Sequence, residues 1–255
     1  MPALDHPGLP ELVAHRGDAE HFPENTLPAL QSALRLGLRF VEFDVQLSAD
    51  GVPWVIHDVE LSRTTSASGD LRLLGSDWLD QVDAGEPRRF GHRHAGTPLP
   101  RLTAVAELLA ANPQARAFVE LKRASLEHHG REACIERVVS ALAGVRERCV
   151  LISFDETACR LARAMSGLPI GWVLQHTPDA QLATLAELAP EFVFCDFRRL
   201  SAQGSLPEGP WSWAVYEVRD AALARSLHAR GVALVETMAP ARLLAELGLP
   251  VLGNP

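Results

Sequence analysis

Short apolar runs recur along the chain and alternate with longer segments in which apolar residues follow the helical period. Runs of four to eight apolar residues between turn residues are typical of buried strands. We place nine strands at residues 12–15, 40–46, 52–57, 117–122, 150–154, 170–174, 192–196, 213–218 and 232–237. The segments between them predict helices, so most of the chain consists of successive βα units.

Capping residues mark several helix boundaries in these intervening segments. We expect Asn25 to cap the first helix and Gly37 to close it. Asp155 is expected to cap a later helix that ends at Gly167. Three more helices are predicted to begin at Thr177-Pro178, Asp220 and Ala239.

The strand at 52–57 differs from the other eight, because Asp50-Gly51 predicts a tight hairpin with the strand before it. That strand must run antiparallel to its neighbour, which leaves eight strands for parallel βα units. Eight such units in 255 residues predict a (β/α)8 TIM barrel, with one domain spanning residues 1–255. An open doubly wound sheet is the alternative, although no GxGxxG motif follows the first strand.

Residues 59–101 interrupt the alternation of strands and helices. The segment is rich in Ser, Thr, Gly and Arg, and its only helical pattern is SDWLDQV at 76–82. Long irregular connections in compact domains are usually functional or disordered. We therefore predict a small insertion after the second βα unit that caps the barrel mouth.

Composition excludes some classes of function. The net charge of −8 and the lack of a basic patch argue against a nucleic-acid partner. The four cysteines form no CxxC pair, and we expect buried free thiols in a reducing compartment. No leader pattern and no long apolar run is present, so a cytoplasmic protein without stable membrane insertion is expected. The sequence does not indicate an oligomeric state.

The hairpin carries the first candidate chemistry. Glu42 and Asp44 share one strand face, and a two-residue turn at Asp50-Gly51 sets His57 opposite Asp44. Two carboxylates in an apolar run need a compensating charge, which a divalent cation supplies. A solvated hairpin face with an ordinary Asp–His contact is the alternative.

Other polar residues stand at the ends of predicted barrel strands, where active sites of this fold form. His15-Arg16 ends the first strand, and Glu120 and Lys122 share a face of the strand at 117–122. Taken separately, these are also compatible with a surface pair and a solvated strand edge. Together they offer three carboxylates that can bind a hard metal ion, two cationic side chains that can bind an anion, and two imidazoles that can transfer protons. This combination predicts cleavage of a phosphoryl ester.

These residues lie in motifs that resemble the glycerophosphodiester phosphodiesterases. The matching segments are AHRG (14–17), PENTLPAL (23–30), VEFDVQLSADG (41–51), VIHD (55–58), SRTT (62–65), LPRL (99–102), VELK (119–122) and ISF (152–154). The resemblance implies a (β/α)8 barrel that hydrolyses glycerophosphodiesters, such as glycerophosphocholine or glycerophosphoethanolamine, to sn-glycerol 3-phosphate and an alcohol. It also implies a divalent metal, Mg²⁺ or Ca²⁺, as cofactor.

The resemblance assigns a role to each candidate residue. The implied roles are acid and base for His15 and His57, metal ligation for Glu42, Asp44 and Glu120, and phosphate binding for Arg16 and Lys122. Asn25 is expected mainly as a helix cap.

The last strands depart from the family pattern and leave substrate choice open. Tyr216-Glu217-Val218-Arg219 stands where Trp-Thr-Val-Asn is common, and Thr237-Met238-Ala239-Pro240 replaces Thr-Asp-x-Pro. Two alternatives therefore remain. One is a lysophospholipase D-like or phospholipase-C-like enzyme, for which Trp78 and Leu79 are the only apolar hint. The other is a non-catalytic barrel that binds a phosphorylated metabolite.

Overall fold

Eight parallel strands close into a barrel in the computed structural model, which describes residues 8–201 and 205–251. Each parallel strand pairs with its neighbour in the chain, and the first strand pairs with both the second and the last. The strands are β1 Glu11–His15, β2 Phe40–Leu47, β3 Pro53–Val55, β4 Arg116–Leu121, β5 Cys149–Ser153, β6 Ile170–Val173, β7 Phe192–Asp196, β8 Ser212–Tyr216 and β9 Val232–Thr237. The (β/α)8 prediction is confirmed, with β3 as the antiparallel extra strand.

Helices follow most of the parallel strands and cover the outside of the barrel, while two short helices lie within residues 59–101. They are α1 Leu27–Arg35, α2 Ser76–Leu79, α3 Pro87–Phe90, α4 Leu102–Ala111, α5 Arg123–His129, α6 Arg131–Ala141, α7 Glu156–Ser166, α8 Pro178–Leu188, α9 Ala221–Ala229 and α10 Pro240–Leu247. Asp155 and Asp220 cap their helices as predicted. The predicted cap of α1 is wrong by one residue, since Thr26 accepts the hydrogen bond from the backbone N–H of Ala29.

The period-two alternation of the strands separates two apolar cores. In β2 and β4 the residues Val41, Phe43 and Val119 face the helices and join the larger core. Residues of the opposite parity, such as Phe118, fill the barrel interior. Polar residues that face inward lie above this apolar layer, toward the carboxyl ends of the strands. They include Glu42, Asp44, Glu120 and Glu236.

The register of the β2–β3 hairpin differs from the prediction by one residue. Val45 pairs with Val55, and the connection runs through Ser48–Val52 rather than a two-residue turn at Asp50-Gly51. Position 44 therefore faces position 56, and the backbone N–H of Ile56 donates to the Asp44 carbonyl at 3.0 Å. His57 lies beyond the end of β3 and not directly opposite Asp44.

Residues 59–101 form an irregular insertion with its own small core. Leu61, Leu71, Leu79, Val82 and Leu99 pack there against the β3 hairpin. Short helices form at Ser76–Leu79, within the predicted 76–82, and at Pro87–Phe90. The role of this segment as a cap stays a prediction.

Two further sequence expectations concern cysteines and membranes. Cys134, Cys149, Cys159 and Cys195 are all buried free thiols, as predicted. Across residues 8–201 and 205–251, no helix combines the length and apolarity needed to span a bilayer.

Candidate active site

Three carboxylates meet at the carboxyl ends of β2 and β4. Parallel pairing places Asp44 beside Glu120, and Glu42 lies two residues earlier on the same face of β2. One oxygen from each side chain lies within 4.8 Å of the others, close enough to share one cation. Glu42 is 1% exposed and Asp44 is fully buried, so the cluster is largely removed from water.

The electrostatics of this triad show an uncompensated acidic group. Burial raises the pKa of Glu42 well above its usual range, and the charges of Asp44, Glu236 and Glu120 raise it further. Its Oε1 atom is buried with no hydrogen-bond partner among the described residues. A buried carboxylate normally has such partners, so the arrangement fits a bound cation.

Lys122 and Arg16 place positively charged side chains against the triad. Lys122 Nζ lies 3.1 Å from Asp44 Oδ1 and 2.8 Å from Glu120 Oε1. Arg16 Nε lies 3.0 Å from Asp44 Oδ2, and its Nη1 is 2.8 Å from Glu24 Oε1. Burial opposes ionisation of Asp44, but the charges of Lys122 and Arg16 bring its pKa well below the usual range.

Asn25 contacts the triad directly, although the sequence predicted mainly a helix cap. Its Nδ2 donates to Asp44 Oδ2 at 2.8 Å, and its Oδ1 accepts the Asp44 backbone N–H at 3.1 Å. The residue is buried and left-handed, with φ of 59°. Asn25 therefore orients a triad carboxylate, and Thr26 caps the helix.

His15 lies at the end of β1 between two carboxylates. Its Nδ1 is 2.8 Å from Glu217 Oε1, and its Nε2 is 3.7 Å from Glu42 Oε2. Burial alone lowers the pKa of His15, but Glu217 and Glu236 outweigh it and raise the pKa above the ordinary value. The contact with His15 in turn lowers the pKa of Glu217 to about 2.

Glu217 and Glu236 also belong to the site, although neither was assigned a role from the sequence. Glu236 is 3% exposed, and burial raises its pKa to about 7. Its alternation with Leu234, an interior residue of β9, was the signal that could have placed it inside the barrel.

His57 reaches the site from the segment after β3. Its Nδ1 is 2.5 Å from Asp58 Oδ1, and Arg63 of the insertion is bonded to the other oxygen of Asp58. Arg63 Nη2 also lies 2.8 Å from Glu24 Oε1, which joins the hairpin to the loop after β1. His57 is thus held by a chain of charged groups rather than by strand pairing.

A cavity of about 640 Å³ opens above the triad. The polar residues predicted from sequence that line it are His15, Arg16, Glu42, His57, Glu120 and Lys122. The structure thus brings six of the seven predicted residues to one cavity, with fully buried Asp44 in contact with Lys122 beneath it. Its apolar wall includes Phe154, Phe194 and Tyr216. This volume is typical of small-molecule sites.

Comparison with known proteins identifies the family of this chain. A sequence model of the glycerophosphoryl diester phosphodiesterase family matches residues 15–236. The chain belongs to this family. That range extends from the histidine of β1 to the buried glutamate of β9, and the match confirms the resemblance and the prediction of an enzyme of this class.

Curated relatives carry the same description. A glycerophosphodiester phosphodiesterase of Caldanaerobacter subterraneus subsp. tengcongensis is 34% identical over 167 residues, covering 64% of this chain and 66% of that protein. Glycerophosphodiester phosphodiesterase 1 of Bos taurus is 36% identical over 180 residues, covering 66% and 52%. The aligned segment thus spans just under two thirds of the first relative and about half of the second.

Solved structures agree over nearly the whole chain. A phosphodiesterase of Oleispira antarctica, in complex with the product sn-glycerol-3-phosphate, superposes with a TM-score of 0.81 at 26% identity. The match covers 94% of this chain and 97% of that one. A glycerophosphodiester phosphodiesterase of Agrobacterium tumefaciens superposes with a TM-score of 0.75 at 27% identity, covering 93% and 100%.

Proposed function

We propose that this protein hydrolyses glycerophosphodiesters, such as glycerophosphocholine or glycerophosphoethanolamine, to sn-glycerol 3-phosphate and an alcohol. The observation that supports this most is the meeting of Glu42, Asp44 and Glu120 within 4.8 Å, beside two histidines in one cavity. The product seen in the Oleispira antarctica relative adds support for the glycerol phosphate end.

Mg²⁺ or Ca²⁺ is the proposed cofactor, and the triad residues would hold it. Both ions prefer oxygen ligands, and the three side chains supply only carboxylate oxygens. The unpartnered Oε1 of Glu42 and the raised pKa of that carboxyl fit a site built around a cation. When bound, the ion polarises a phosphoryl oxygen and offsets the charge that develops there.

Arg16 and Lys122 are proposed to hold the phosphate. Both line the cavity, and each already faces a carboxylate of the triad. Burial tends to lower the pKa of Lys122, but Asp44 and Glu120 raise it, so the ammonium stays charged. Fixed positive charge at the cavity wall stabilises an anionic ester and its more highly charged transition state.

His15 and His57 are proposed as the acid and base. Each has its Nδ1 beside a carboxylate, Glu217 for His15 and Asp58 for His57. The opposite nitrogen of each ring is therefore free of that contact and can exchange a proton with substrate. One imidazole removes a proton from the attacking oxygen, that of water or of the neighbouring glycerol hydroxyl, and the other donates a proton to the leaving alkoxide. If the glycerol hydroxyl attacks, water then opens the cyclic phosphate to give sn-glycerol 3-phosphate.

The insertion at 59–101 is proposed to cap the barrel mouth within a single domain spanning residues 1–255. Arg63 contacts both Asp58 and Glu24, so the insertion holds the segment that carries His57. Leu79 is buried in the insertion core, and Trp78, which is exposed, does not line the cavity. The two apolar residues that suggested an acyl-chain entrance therefore give no support to a lyso-lipid substrate.

Turnover of glycerophosphocholine and glycerophosphoethanolamine, coupled to detection of sn-glycerol 3-phosphate, tests the proposal. Activity is expected with Mg²⁺ or Ca²⁺ and is expected to disappear with a chelator. His15→Ala and His57→Ala should each lower kcat by about a hundredfold or more, which is the usual contribution of a general acid or base.

His128→Ala is the matched control, since His128 is exposed in α5 and outside the cavity. It should keep full activity. If the metal-loaded protein hydrolyses no glycerophosphodiester, or if His15→Ala and His57→Ala both match the control, the proposed function is wrong.

A further inference from the structure

A second hollow of about 460 Å³ adjoins the cavity above the triad. His57, Glu120, Lys122 and Phe154 line both spaces. A phosphodiester held at these shared residues has two substituents, and both hollows open from the same residues. Each substituent can therefore occupy its own hollow.

The two hollows differ in charge. Beyond the shared residues, the first is lined by four carboxylates, Glu42, Glu217, Asp220 and Glu236, together with three arginines, Arg16, Arg198 and Arg219. The second contains Arg123 and Arg199, and among the described residues no carboxylate of its own lines it. Its remaining polar residues are Gln46, Gln175 and His176.

Arg123 is fixed in place by its neighbours. Its Nη1 donates to Gln175 Oε1 at 2.7 Å, and Gln175 Nε2 donates to the Phe154 carbonyl at 3.2 Å. Arg123 is the first residue of α5 and Gln175 lies in the loop after β6, and their bond gives the guanidinium a defined position without a bound ligand. A preorganised cation loses little entropy when an anion binds.

Nearby acidic groups do not cancel the charge of the two arginines. Asp155 and Asp196 feel the charges of Arg123 and Arg199. However, Asp155 is paired with Arg131 at 2.7 Å, and Asp196 with the neighbouring Arg198 at 2.5 Å. Arg123 and Arg199 therefore add positive charge to the lining of the second hollow.

We propose that the second hollow receives the alcohol moiety and favours alcohols that carry a further anionic group, such as a phosphate monoester. The inference rests on the proposed phosphodiesterase function and specifies its substrate class. A charge-assisted contact from two guanidinium groups favours such an alcohol over a neutral polyol, and it disfavours a cationic alcohol such as choline.

The test compares two substrates that differ only in the second phosphate, glycerophosphoinositol 4-phosphate and glycerophosphoinositol. The ratio of their kcat/KM values should favour the phosphorylated ester by about fivefold or more at low ionic strength, and the ratio should fall as salt screens the arginines. Arg123→Gln and Arg199→Gln should each reduce the ratio by about threefold. Arg199 is exposed, so its replacement leaves folding intact.

Arg160→Gln is the control, because Arg160 is exposed on α7 and pairs with Glu156. It should keep the wild-type ratio. Hydrolysis of both esters with equal kcat/KM, or a ratio that neither arginine variant changes, overturns this inference alone. Failure to hydrolyse any glycerophosphodiester overturns the proposed function and this inference with it.

Discussion

Asn25→Ala tests whether the loop after β1 holds the triad in place. The substitution removes the donor to Asp44 Oδ2 at 2.8 Å and the acceptor of the Asp44 backbone N–H at 3.1 Å. A buried polar group left without its partner costs about 1–3 kcal/mol, and a hydrogen bond to a charged group contributes a similar amount. Alanine at a left-handed φ of 59° adds roughly 1 kcal/mol of strain.

Together these contributions predict that Asn25→Ala lowers the free energy of unfolding by about 3–7 kcal/mol. Denaturant unfolding monitored by circular dichroism measures this. Metal affinity should fall as well, by about 10- to 100-fold, as it does when a residue that orients a metal ligand is lost. Asn112→Ala is the control, since the Asn112 side chain at the end of α4 makes one hydrogen bond among the described residues, to the Leu108 carbonyl, and its backbone bonds are kept in the variant. If the two variants unfold alike, Asn25 has no special role.

Three further predictions concern the core, an ion pair and the His15 contact. Phe118 is fully buried in the barrel interior, so Phe118→Ala should lower the free energy of unfolding by about 3–5 kcal/mol. Denaturant titration measures this, and a loss below about 1 kcal/mol would contradict the packing described. Burial opposes ionisation of Asp155, but bonds from Arg131 bring its pKa below 3.8. The stability that this carboxylate contributes is therefore present at neutral pH and is lost as the pH falls below 3.8. Asp155→Asn should lower the free energy of unfolding by about 1 kcal/mol at pH 7 and by less near pH 3. A loss of stability that does not depend on pH would refute this prediction. Glu217→Gln should lower kcat, because it weakens the contact that orients His15, with little change in thermal unfolding; steady-state kinetics with unchanged kcat would show that the contact is incidental.

The fold could be predicted because its strands have an unambiguous pattern. Apolar runs of four to eight residues separated by capped helices left few alternatives for the order of elements. In β2, alternation predicted that Glu42 and Asp44 share one strand face, and the predicted barrel placed Glu120 at the same rim, where the structure has all three. The face on which a strand residue lies is a local property, and the meeting of the two strands follows from the predicted barrel.

The hairpin register could not be predicted from the turn residues alone. The structure replaces a two-residue turn by a longer connection, because Asp50 accepts bonds from the backbone and hydroxyl of Ser76 in the insertion. The backbone N–H of Ala49 likewise donates to the Leu74 carbonyl. These contacts come from residues about 25 positions away and outweigh the local preference of Asp50-Gly51.

The positions of Asn25 and Glu217 could not be predicted from the sequence for a similar reason. Asn25 and Thr26 are both good helix caps, and only the approach of Asp44 decides which of them caps the helix. Glu217 follows β8 directly, and its direction depends on how the chain leaves the strand to reach His15. Both assignments depend on contacts between separate strands.

The central claim is that Glu42, Asp44 and Glu120 bind one divalent ion between them. Calorimetric titration of the chelator-treated protein with Mg²⁺, Ca²⁺ or Mn²⁺ tests it directly, with Glu42→Gln and Glu120→Gln as variants and Glu156→Gln, on the surface helix α7, as the matched control. The account predicts one ion per chain for wild type and control, and affinity reduced at least tenfold in both triad variants. Equal affinity in all four proteins, or no binding by the wild type, would contradict it.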